Sequence, residues 1–450
     1  MDYSFSLVNL RRIWDIQTRK GNYLFSLFPE LEESYKLYKS ERDGLRAVIR
    51  EGGLDQETYN RTRKKLGEIK REAEKLISEY LTATSLEIVS DMEEDIFSWC
   101  LELGSEVGGR QTYRLGEGPK FFFVDKQMQR NLQSVMPRRQ NSRSQIISSL
   151  VAVIDNDMPK VVVRTDVKDF YGSIDHSIIS AMIADSKLNP LSKKLIDKLL
   201  HEYSEITGSR RGLPVGVGLS SKLSELFISH VDRSLQEAED VLYYARYVDD
   251  IVVVFSANDA NPRSKEDFFN VIREKLSEIG LEANDKKEFF RELDDSNSFS
   301  SFEFLGYSIS YSGRVKVKMS SRRVRRIKDR IDRSLKAWSV AEKNGANHAK
   351  RKLLIDRLKF LTGNTKLFNN KRNALVGVYF TNSHLTDFKD LQGLDKYLDY
   401  CLSRFEVPED LRGKISKLSF EEGFQKRSFY NFSATQLRRI VGVWHEQEEN

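Results

Sequence analysis

The sequence predicts an α+β protein with a helical region, a mixed region that contains a sheet, and a second, strongly basic helical region. Apolar residues recur at three- and four-residue spacing through residues 1–100, which is typical of amphipathic helices. Strand-like apolar runs alternate with helical patterns over residues 101–320, and the pattern is helical again over residues 321–450. Strands that alternate with helices in this way favour a sheet with helices on one face.

The composition excludes several classes of protein. The 450 residues are 39% hydrophobic and 31% charged, and the 26 Phe and 18 Tyr are too many for a disordered chain. Apolar runs such as Ile251–Phe255 reach about five residues, whereas a membrane-spanning helix needs ~20. The N-terminus lacks an apolar signal core, and two cysteines make no disulfide framework, so we expect a cytoplasmic protein without membrane contact. Six histidines without metal-ligand spacing argue against zinc chemistry.

The first two regions differ in their turn signals. Residues 31–50 and 59–81 form two long helical patterns, and Gly52-Gly53 separates them. Residues 103–125 change to short apolar runs between glycines, which predicts short strands joined by glycine turns.

The middle of the chain contains a pattern similar to a βαβ unit. Residues 160–167 predict a buried strand, and residues 176–188 predict a helix with Ser173 or Asp175 as its N-cap. The remaining predicted elements are an amphipathic helix over 218–238, two strands over 241–255 with a very short turn between them, a helix over 265–281 closed by Gly280, and a hairpin over 302–319.

The charge is distributed unevenly. Residues 314–372 contain 20 Lys and Arg but only four Asp and Glu, a net charge of +16, although the whole chain carries +6. The rest of the chain therefore sums to −10. A compact basic block on an otherwise acidic protein indicates a nucleic-acid footprint, with a solvated helix face as the alternative.

Three carboxylates stand where a carboxylate is costly. Asp166 ends the predicted buried strand, and burial of a charge requires a partner. Asp249 and Asp250 lie at the tip of the predicted hairpin, where Val248-Asp249 replaces the usual Gly or Asn and suggests strain kept for function. If the two strands are neighbours, the three carboxylates converge and can hold two Mg²⁺ ions ~4 Å apart, with Mn²⁺ as the alternative.

These segments belong to a larger ordered set through which the chain resembles the reverse transcriptases. In order, the segments resemble the first palm motif, the second palm motif, the YxDD box, the following lysine motif and the primer-grip hairpin: Asp166–Ile174, Gly212–Ser220, Tyr247–Asp250, Leu281–Lys287 and Phe304–Tyr307. The resemblance implies a right-hand polymerase with fingers and palm over residues 101–320 and a thumb with a C-terminal region over 321–450. It also implies an RNA-directed DNA polymerase, a nucleotidyltransferase that uses Mg²⁺.

The resemblance also assigns roles to individual residues. Asp166, Asp249 and Asp250 would be catalytic, and together with Val167 they would bind the metal. The expected nucleotide-binding residues are Tyr171 at the steric-gate position, Asp169, Val215, Gly216 and Lys287, with the adjacent Lys286 as the alternative to Lys287. The expected nucleic-acid-binding residues are Arg322, Arg323, Arg325, Arg326, Lys328 and Arg330, and further candidates are Arg138, Arg139 and Arg143.

One position departs from the pattern of the family. The second palm motif usually has Gln after its Pro, and here Val215 follows Pro214. Because a Val side chain cannot donate or accept a hydrogen bond, its contact with the incoming nucleotide differs from that of the family.

The flanks resemble those of bacterial antiphage defence reverse transcriptases, notably the smaller subunit of the type 3 systems. The segments that carry this resemblance are the opening, from Ser4-Phe5-Ser6 through Arg19-Lys20-Gly21, and the later Phe360–Asn364 and Gly377–Phe380. It implies a non-coding RNA template, dNTPs, a DNA product, and a second reverse transcriptase subunit or a homo-oligomer as partners. The alternatives are a retron-type enzyme, a template-independent DNA polymerase of the abortive-infection type, and an inactive RNA-binding scaffold.

Overall fold

The computed structural model describes residues 2–20, 22–51, 55–136, 141–156, 158–257, 263–293, 300–345, 348–367 and 374–445. The chain divides into two compact units, each assembled from separate stretches. The first unit comprises residues 1–139, 167–233 and 273–283, and the second comprises residues 140–166, 234–272 and 284–450. The division at residues 100 and 320 into three consecutive regions stays a prediction.

The described residues form seventeen α-helices and eleven β-strands. The helices are α1 (Leu7–Arg19), α2 (Pro29–Glu51), α3 (Gln56–Glu93), α4 (Pro119–Val135), α5 (Arg143–Ile154), α6 (Phe170–Ser173), α7 (His176–Asp185), α8 (Pro190–Thr207), α9 (Ser220–Gln236), α10 (Lys265–Ser277), α11 (Ser321–Lys343), α12 (His348–Thr362), α13 (Val378–Thr381), α14 (Lys389–Arg404), α15 (Glu409–Ile415), α16 (Phe420–Gln425) and α17 (Ala434–His445). The strands are β1 (Glu102–Val107), β2 (Arg110–Arg114), β3 (Lys160–Asp166), β4 (Val241–Tyr247), β5 (Asp250–Ser256), β6 (Phe289–Leu293), β7 (Ser300–Phe304), β8 (Tyr307–Tyr311), β9 (Val315–Met319), β10 (Asn364–Lys366) and β11 (Leu375–Gly377). Among these helices, none has the length and apolar character needed to cross a membrane.

The N-terminal helices confirm the helical prediction for residues 1–100. Helix α1, with Leu10 and Trp14 buried, packs against α3 and α4 in the first unit. Helix α3 begins behind Asp55, whose carboxylate accepts a hydrogen bond from the backbone N–H of Thr58 at 2.7 Å and so acts as the N-cap. The predicted break at Gly52-Gly53 lies outside the described residues.

The glycine turn that follows is confirmed, but the strand predicted after it is wrong. Strands β1 and β2 pair through Gly108-Gly109, and both glycines have positive φ (61° and 74°), as a type I′ turn requires. Residues 119–135 form α4 instead of a strand. Pro119 stands at the first turn of this helix, and its buried residues Val124, Met128 and Leu132 recur every four residues, which is a helical period.

The sheet of the second unit is antiparallel throughout. Its strand order is β4-β5-β3-β6, with β5 buried over Ile251–Phe255 and β3 over Val161–Val163. The predicted βαβ pattern is therefore wrong as a parallel unit. The tight β4–β5 hairpin reverses the chain and lays β5 antiparallel to β3, whereas a βαβ unit requires parallel strands.

The hairpin predicted over residues 302–319 is a three-stranded meander, β7-β8-β9. The extra reversal occurs at Leu305-Gly306, and both residues have positive φ (47° and 84°). Gly306 adopts this conformation easily, but Leu305 does so at a cost, since its Cβ crowds the backbone.

The prediction of helices after residue 320 is confirmed, with one small addition. Helices α11, α12 and α14 pack around Ile331, Leu335, Trp338, Leu358 and Leu394, all of which are buried. The addition is the two-stranded pair β10–β11, which lies between α12 and α13.

The buried Asn364 holds the segment that follows α12 in place through side-chain hydrogen bonds. The Asn364 side chain donates to the carbonyls of Gly423 (3.3 Å) and Ser428 (3.1 Å) and accepts from the backbone N–H of Tyr379 (2.9 Å). Gly377 packs directly against Asn364, and a Cβ there would meet its Cα at 2.5 Å. The residues Gly363-Asn364 and Gly377 are therefore held by packing and hydrogen bonds that join β10, β11 and α16 within the second unit.

We expect Asn364→Ala to destabilise the second unit by about 1–3 kcal/mol, because the backbone N–H of Tyr379 would lose its acceptor, while the carbonyls of Gly423 and Ser428 would each lose one of two donors. The matched control is Asn344→Ala at the exposed end of α11, for which a change within about 0.5 kcal/mol is expected. Urea unfolding followed by circular dichroism measures both. Equal midpoints for the two variants would show that Asn364 is not a structural hub.

Candidate active site

The β4–β5 turn has the strained form that the sequence predicts. Tyr247 pairs with Asp250, so that Val248 and Asp249 are the two turn residues. Val248 has φ of 62°, a conformation that a β-branched residue adopts only at a cost of about 1–2 kcal/mol. The guanidinium of Arg246, which is buried, donates to the carbonyl of Val248 at 2.6 Å and holds the turn from inside the hairpin.

Strand register brings two of the carboxylates together. Strands β3 and β5 are antiparallel neighbours, and Asp166 pairs directly with Asp250. Directly opposed residues of an antiparallel pair have Cβ atoms about 4.5–5.5 Å apart. Asp249 precedes Asp250 at the turn, so all three carboxylates lie at one end of the same sheet in the second unit, as the sequence predicts.

Two cations hold this carboxylate cluster. Arg164 makes a bidentate contact with Asp250, with Nε donating to Oδ1 at 2.9 Å and Nη2 to Oδ2 at 3.2 Å. Lys287 Nζ donates to Asp166 Oδ2 at 2.6 Å. Burial raises the pKa of Asp250, Arg164 lowers it, and the charges of Asp249 and Asp166 raise it further.

Arg164 was not among the residues that the sequence singled out. The sequence contains one indication of its role: Arg164 stands two residues before Asp166, so both side chains face the same side of β3. It becomes informative only once the register with β5 is known, because the contact runs diagonally to Asp250.

The donor set fits a divalent cation. Asp166 Oδ1 is buried and has no hydrogen-bond partner among the described residues. A buried carboxylate oxygen without a partner is costly, and oxygen-only donors are those that Mg²⁺ prefers. Asp166, Asp249 and Asp250 would hold the metal, which supplies Lewis-acid activation of the attacking hydroxyl and neutralises phosphate charge when bound.

The described part of the chain does not present these side chains as a ready metal cage. Within it, no three Asp, Glu, His or Cys side chains are arranged to hold an ion. Instead, Arg164 contacts both carboxylate oxygens of Asp250, and Lys287 contacts one carboxylate oxygen of Asp166. Val167, expected as a further metal ligand, belongs to the first unit, where it is buried and bridges to Ala283.

The expected gate residue is fixed by its backbone. Tyr171 is half-buried in the first unit, and its carbonyl accepts a hydrogen bond from the N–H of Leu213 at 3.0 Å. Asp169 adopts the left-handed region (φ 39°), and its carboxylate lies against Gly172, where a Cβ would collide with it. Asp169 therefore shapes the turn that presents Tyr171.

The second motif is held by its own neighbours in the first unit. Val215 accepts a hydrogen bond through its carbonyl from the N–H of Tyr113 at 2.7 Å, and a Cβ on Gly216 would meet the Tyr113 carbonyl at 2.7 Å. The sequence predicts that glycines in this motif allow the nucleotide to approach the backbone closely. The structure adds that strand β2 itself approaches the backbone so closely at Gly216 that only glycine fits.

A buried aspartate that the sequence did not reveal supports the same segment. Asp125 on α4 accepts hydrogen bonds from the N–H of Leu219 (2.9 Å), from Gln129 Nε2 (2.6 Å) and from Lys126 Nζ (2.8 Å). A Cβ on Gly218 would meet the Asp125 carboxylate at 2.8 Å. The segment that follows Pro214 is thus braced by both β2 and α4.

The basic residues of α11 divide into two groups. Arg322, Arg325 and Arg326 are exposed. Lys328 and Arg330 lie over aromatic rings, at 4.8 Å from the Tyr397 centroid and 5.1 Å from that of Trp444. Their contacts stabilise the second unit itself, so the surface available to a nucleic acid on this helix is carried mainly by the exposed group.

Arg323 supports the turn that resembles a primer grip. Its guanidinium donates to the carbonyls of Leu305 (3.2 Å) and Thr381 (3.2 Å) and to Asn382 Oδ1 (2.8 Å). It also stacks over the Tyr307 ring at 4.7 Å. The strained conformation of Leu305 is therefore fixed by Arg323, which acts inside the protein rather than at its surface.

Among the additional arginines, Arg143 lies over the Tyr247 ring at 4.4 Å from its centroid, beside the strained turn. Arg138 and Arg139 lie outside the described residues.

A sheet with three carboxylates at one end, beside a strained hairpin turn, is consistent with the site of a nucleotidyl-transferring polymerase. Residues 121–309 match the family model "Reverse transcriptase (RNA-dependent DNA polymerase)". The chain therefore contains a reverse transcriptase domain of the right-hand polymerase fold, and this domain supports RNA-directed DNA polymerase activity.

Among the solved structures that are similar to the chain are two telomerases from Candida species. One is apo telomerase from Candida tropicalis truncated from its C-terminal domain, with 15% identity, 49% of this chain and 54% of that chain covered, and a TM-score of 0.36. The other is telomerase from Candida albicans in complex with the TWJ fragment of telomeric RNA, with 11% identity, 77% and 61% covered, and a TM-score of 0.35. The chain thus spans less than two thirds of either structure. No curated protein matches it.

We expect Lys287→Ala to lower the rate of nucleotide incorporation by about 100-fold or more, the usual contribution of a group that donates a proton or positive charge to the leaving group. Lys286→Ala is the matched control, since it removes the same charge one residue earlier without touching Asp166. Single-turnover extension of a primed template measures both variants. A larger loss in Lys286→Ala would assign the role to Lys286.

Proposed function

We propose that the protein is an RNA-directed DNA polymerase of a bacterial antiviral defence system, which copies a non-coding RNA into DNA. The observation that carries the catalytic part is the register of β3 and β5, which sets Asp166 opposite Asp250 beside the Val248-Asp249 turn. The defence role is supported by the resemblance of the flanking segments to defence-associated reverse transcriptases. The RNA template, the DNA product and a second polymerase subunit follow from that resemblance.

The proposed site residues act in distinct ways. Asp166, Asp249 and Asp250 would hold the divalent metal ions, which would supply Lewis-acid activation of the primer hydroxyl and neutralise phosphate charge. Arg164 orients Asp250 and offsets the repulsion between the carboxylates. Lys287, whose side chain is 58% exposed, would supply positive charge to the departing pyrophosphate.

A second candidate function is DNA synthesis without a template. Val215 favours it, because the amide that contacts the incoming nucleotide in related enzymes is replaced by an apolar side chain that cannot form this hydrogen bond. RNase treatment of the purified enzyme separates the two functions, since templated synthesis would stop and template-independent synthesis would persist.

We expect the double substitution Asp249→Asn and Asp250→Asn to abolish DNA synthesis, with a loss of at least about 10³-fold, because metal stabilisation of the transition state contributes several kcal/mol. The control is Asp399→Asn, which changes an exposed carboxylate on α14. Radiolabelled dNTP incorporation by the two purified proteins is the measurement. Equal incorporation by the double variant and the wild type would refute the site.

The same variant tests the template. We expect protein purified from cells with its native locus to carry one defined RNA in both the wild type and the double variant, and complementary DNA only in the wild type. Sequencing of the bound nucleic acids measures this. DNA without a matching RNA would favour template-independent synthesis, and RNA without DNA in either sample would favour the scaffold.

We expect Tyr171→Ala to gain use of rNTPs by at least about tenfold relative to dNTPs, the scale of discrimination that one steric contact provides. Tyr171→Phe retains the ring and should keep the preference for dNTPs, which makes it the matched control. Competition between dATP and ATP in primer extension gives the ratio. If Tyr171→Ala and Tyr171→Phe show the same ratio, the ring is not the gate.

A further inference from the structure

The second unit contains a cavity of about 490 Å³ between α11, α12, β11 and α17. Its lining includes four arginines, Arg323, Arg326, Arg330 and Arg438, and no acidic side chain among the described residues. Most of the other lining residues are apolar, and among them are the aromatic rings of Phe360 and Trp444. None of the carboxylates of the polymerase site lines it.

Two of the four arginines make contacts within the cavity wall, and the other two are exposed. Arg323 is engaged by carbonyl and amide oxygens, and Arg330 lies over the Trp444 ring. Arg326 and Arg438 are exposed, and neither side chain makes a hydrogen bond or an ion pair with the described residues. Burial lowers the pKa of Arg323, and the neighbouring cation of Arg326 acts in the same direction. An anion between these arginines would relieve their repulsion.

The apolar part of the cavity wall indicates that the ligand has an apolar or aromatic group besides its anionic group. The rings of Phe360 and Trp444 both line the cavity, with centroids 5.7 Å apart and planes inclined at 40°. A cavity of this volume is in the range that small ligands occupy, about 300–1,000 Å³. Aromatic surfaces bind the flat faces of nucleobases, and arginine forks bind phosphate. Inorganic phosphate alone would leave the apolar wall without a contact.

We propose that this cavity binds one nucleotide unit, with the base against Phe360 and Trp444 and the phosphate between Arg326 and Arg438. The chemistry is the same for a free nucleotide and for an unstacked nucleotide of a bound single strand. Arg323 lines the cavity and also holds the Leu305-Gly306 turn, so an occupied cavity is linked through one side chain to the hairpin that resembles a primer grip.

The test compares two double variants of the full-length protein that remove the same charge. Arg326→Ala with Arg438→Ala removes the proposed phosphate ligands, whereas Arg61→Ala with Arg63→Ala removes two exposed arginines of α3 that do not line the cavity. Thermal unfolding shows that both remain folded. All binding is measured in EDTA, so that failure of the metal-dependent polymerase site cannot affect the result.

Two probes distinguish the sources of the nucleotide. AMP with a methylanthraniloyl fluorophore reports a free nucleotide by anisotropy, and an oligouridylate with a single 4-thiouridine at its 3′ end reports a strand nucleotide by photocrosslinking. We expect Arg326→Ala with Arg438→Ala to weaken one of these signals by at least about tenfold, the effect of losing a charge-assisted hydrogen bond, and the control pair to leave it within about twofold.

Each outcome decides the proposal. Binding of the AMP probe that only the cavity variant loses identifies a free-nucleotide site. A crosslink to the peptide of Phe360 or Trp444 that only the cavity variant loses, without binding of the AMP probe, identifies a strand nucleotide. Equal losses in both variants would show diffuse attraction to a basic surface, and the absence of binding by both probes would show that the cavity takes no nucleotide; either result overturns the proposal.

Discussion

The opposition of Asp166 and Asp250 across the β3–β5 pair is the constraint on which the candidate site depends. Burial raises the pKa of Asp250, and the repulsion from Asp249 and from the directly opposed Asp166 raises it further. The sheet tolerates the arrangement because Arg164 and Lys287 supply positive charge from the same and the neighbouring segment. Oδ1 of Asp166 has no hydrogen-bond partner in the part of the chain that the structure describes, so this compensation is incomplete there and leaves room for a cation.

Backbone strain recurs at the motifs of the reverse transcriptase resemblance, and arginines hold it at two of them. Val248 and Leu305 both have positive φ, and each has its carbonyl bound by an arginine, Arg246 and Arg323 respectively. A non-glycine residue in this region costs about 1–3 kcal/mol and persists only where its surroundings determine it. The two turns are therefore stabilised by side-chain donors from within the second unit, which makes those arginines part of the geometry of the site rather than of its surface.

Much of this could be predicted from the sequence, and the exceptions have physical reasons. The Val248-Asp249 turn, the helices of residues 1–100 and the glycine turn at Gly108-Gly109 follow from local periodicity and turn chemistry. The antiparallel direction of β3 and β5 does not, because the periodicity of a strand is the same in both directions. Residues whose function is a contact across the sheet or between elements, such as Arg164 and Asp125, are equally invisible until register and packing are known.

The basic residues of α11 fall into two groups, one with contacts inside the protein and one exposed to solvent, and this follows from the number of cations on the helix. A helix with this many cations cannot expose all of them to one ligand, since its residues point in every direction around the axis. Three of these cations make contacts inside the protein: Arg323 donates to the Leu305-Gly306 turn, and Lys328 and Arg330 lie over aromatic rings. These internal contacts fix the helix against α14 and α17, and so give the exposed arginines a rigid base. Composition alone identified the basic block, but only packing separates the cations that build the protein from those that can meet a phosphate.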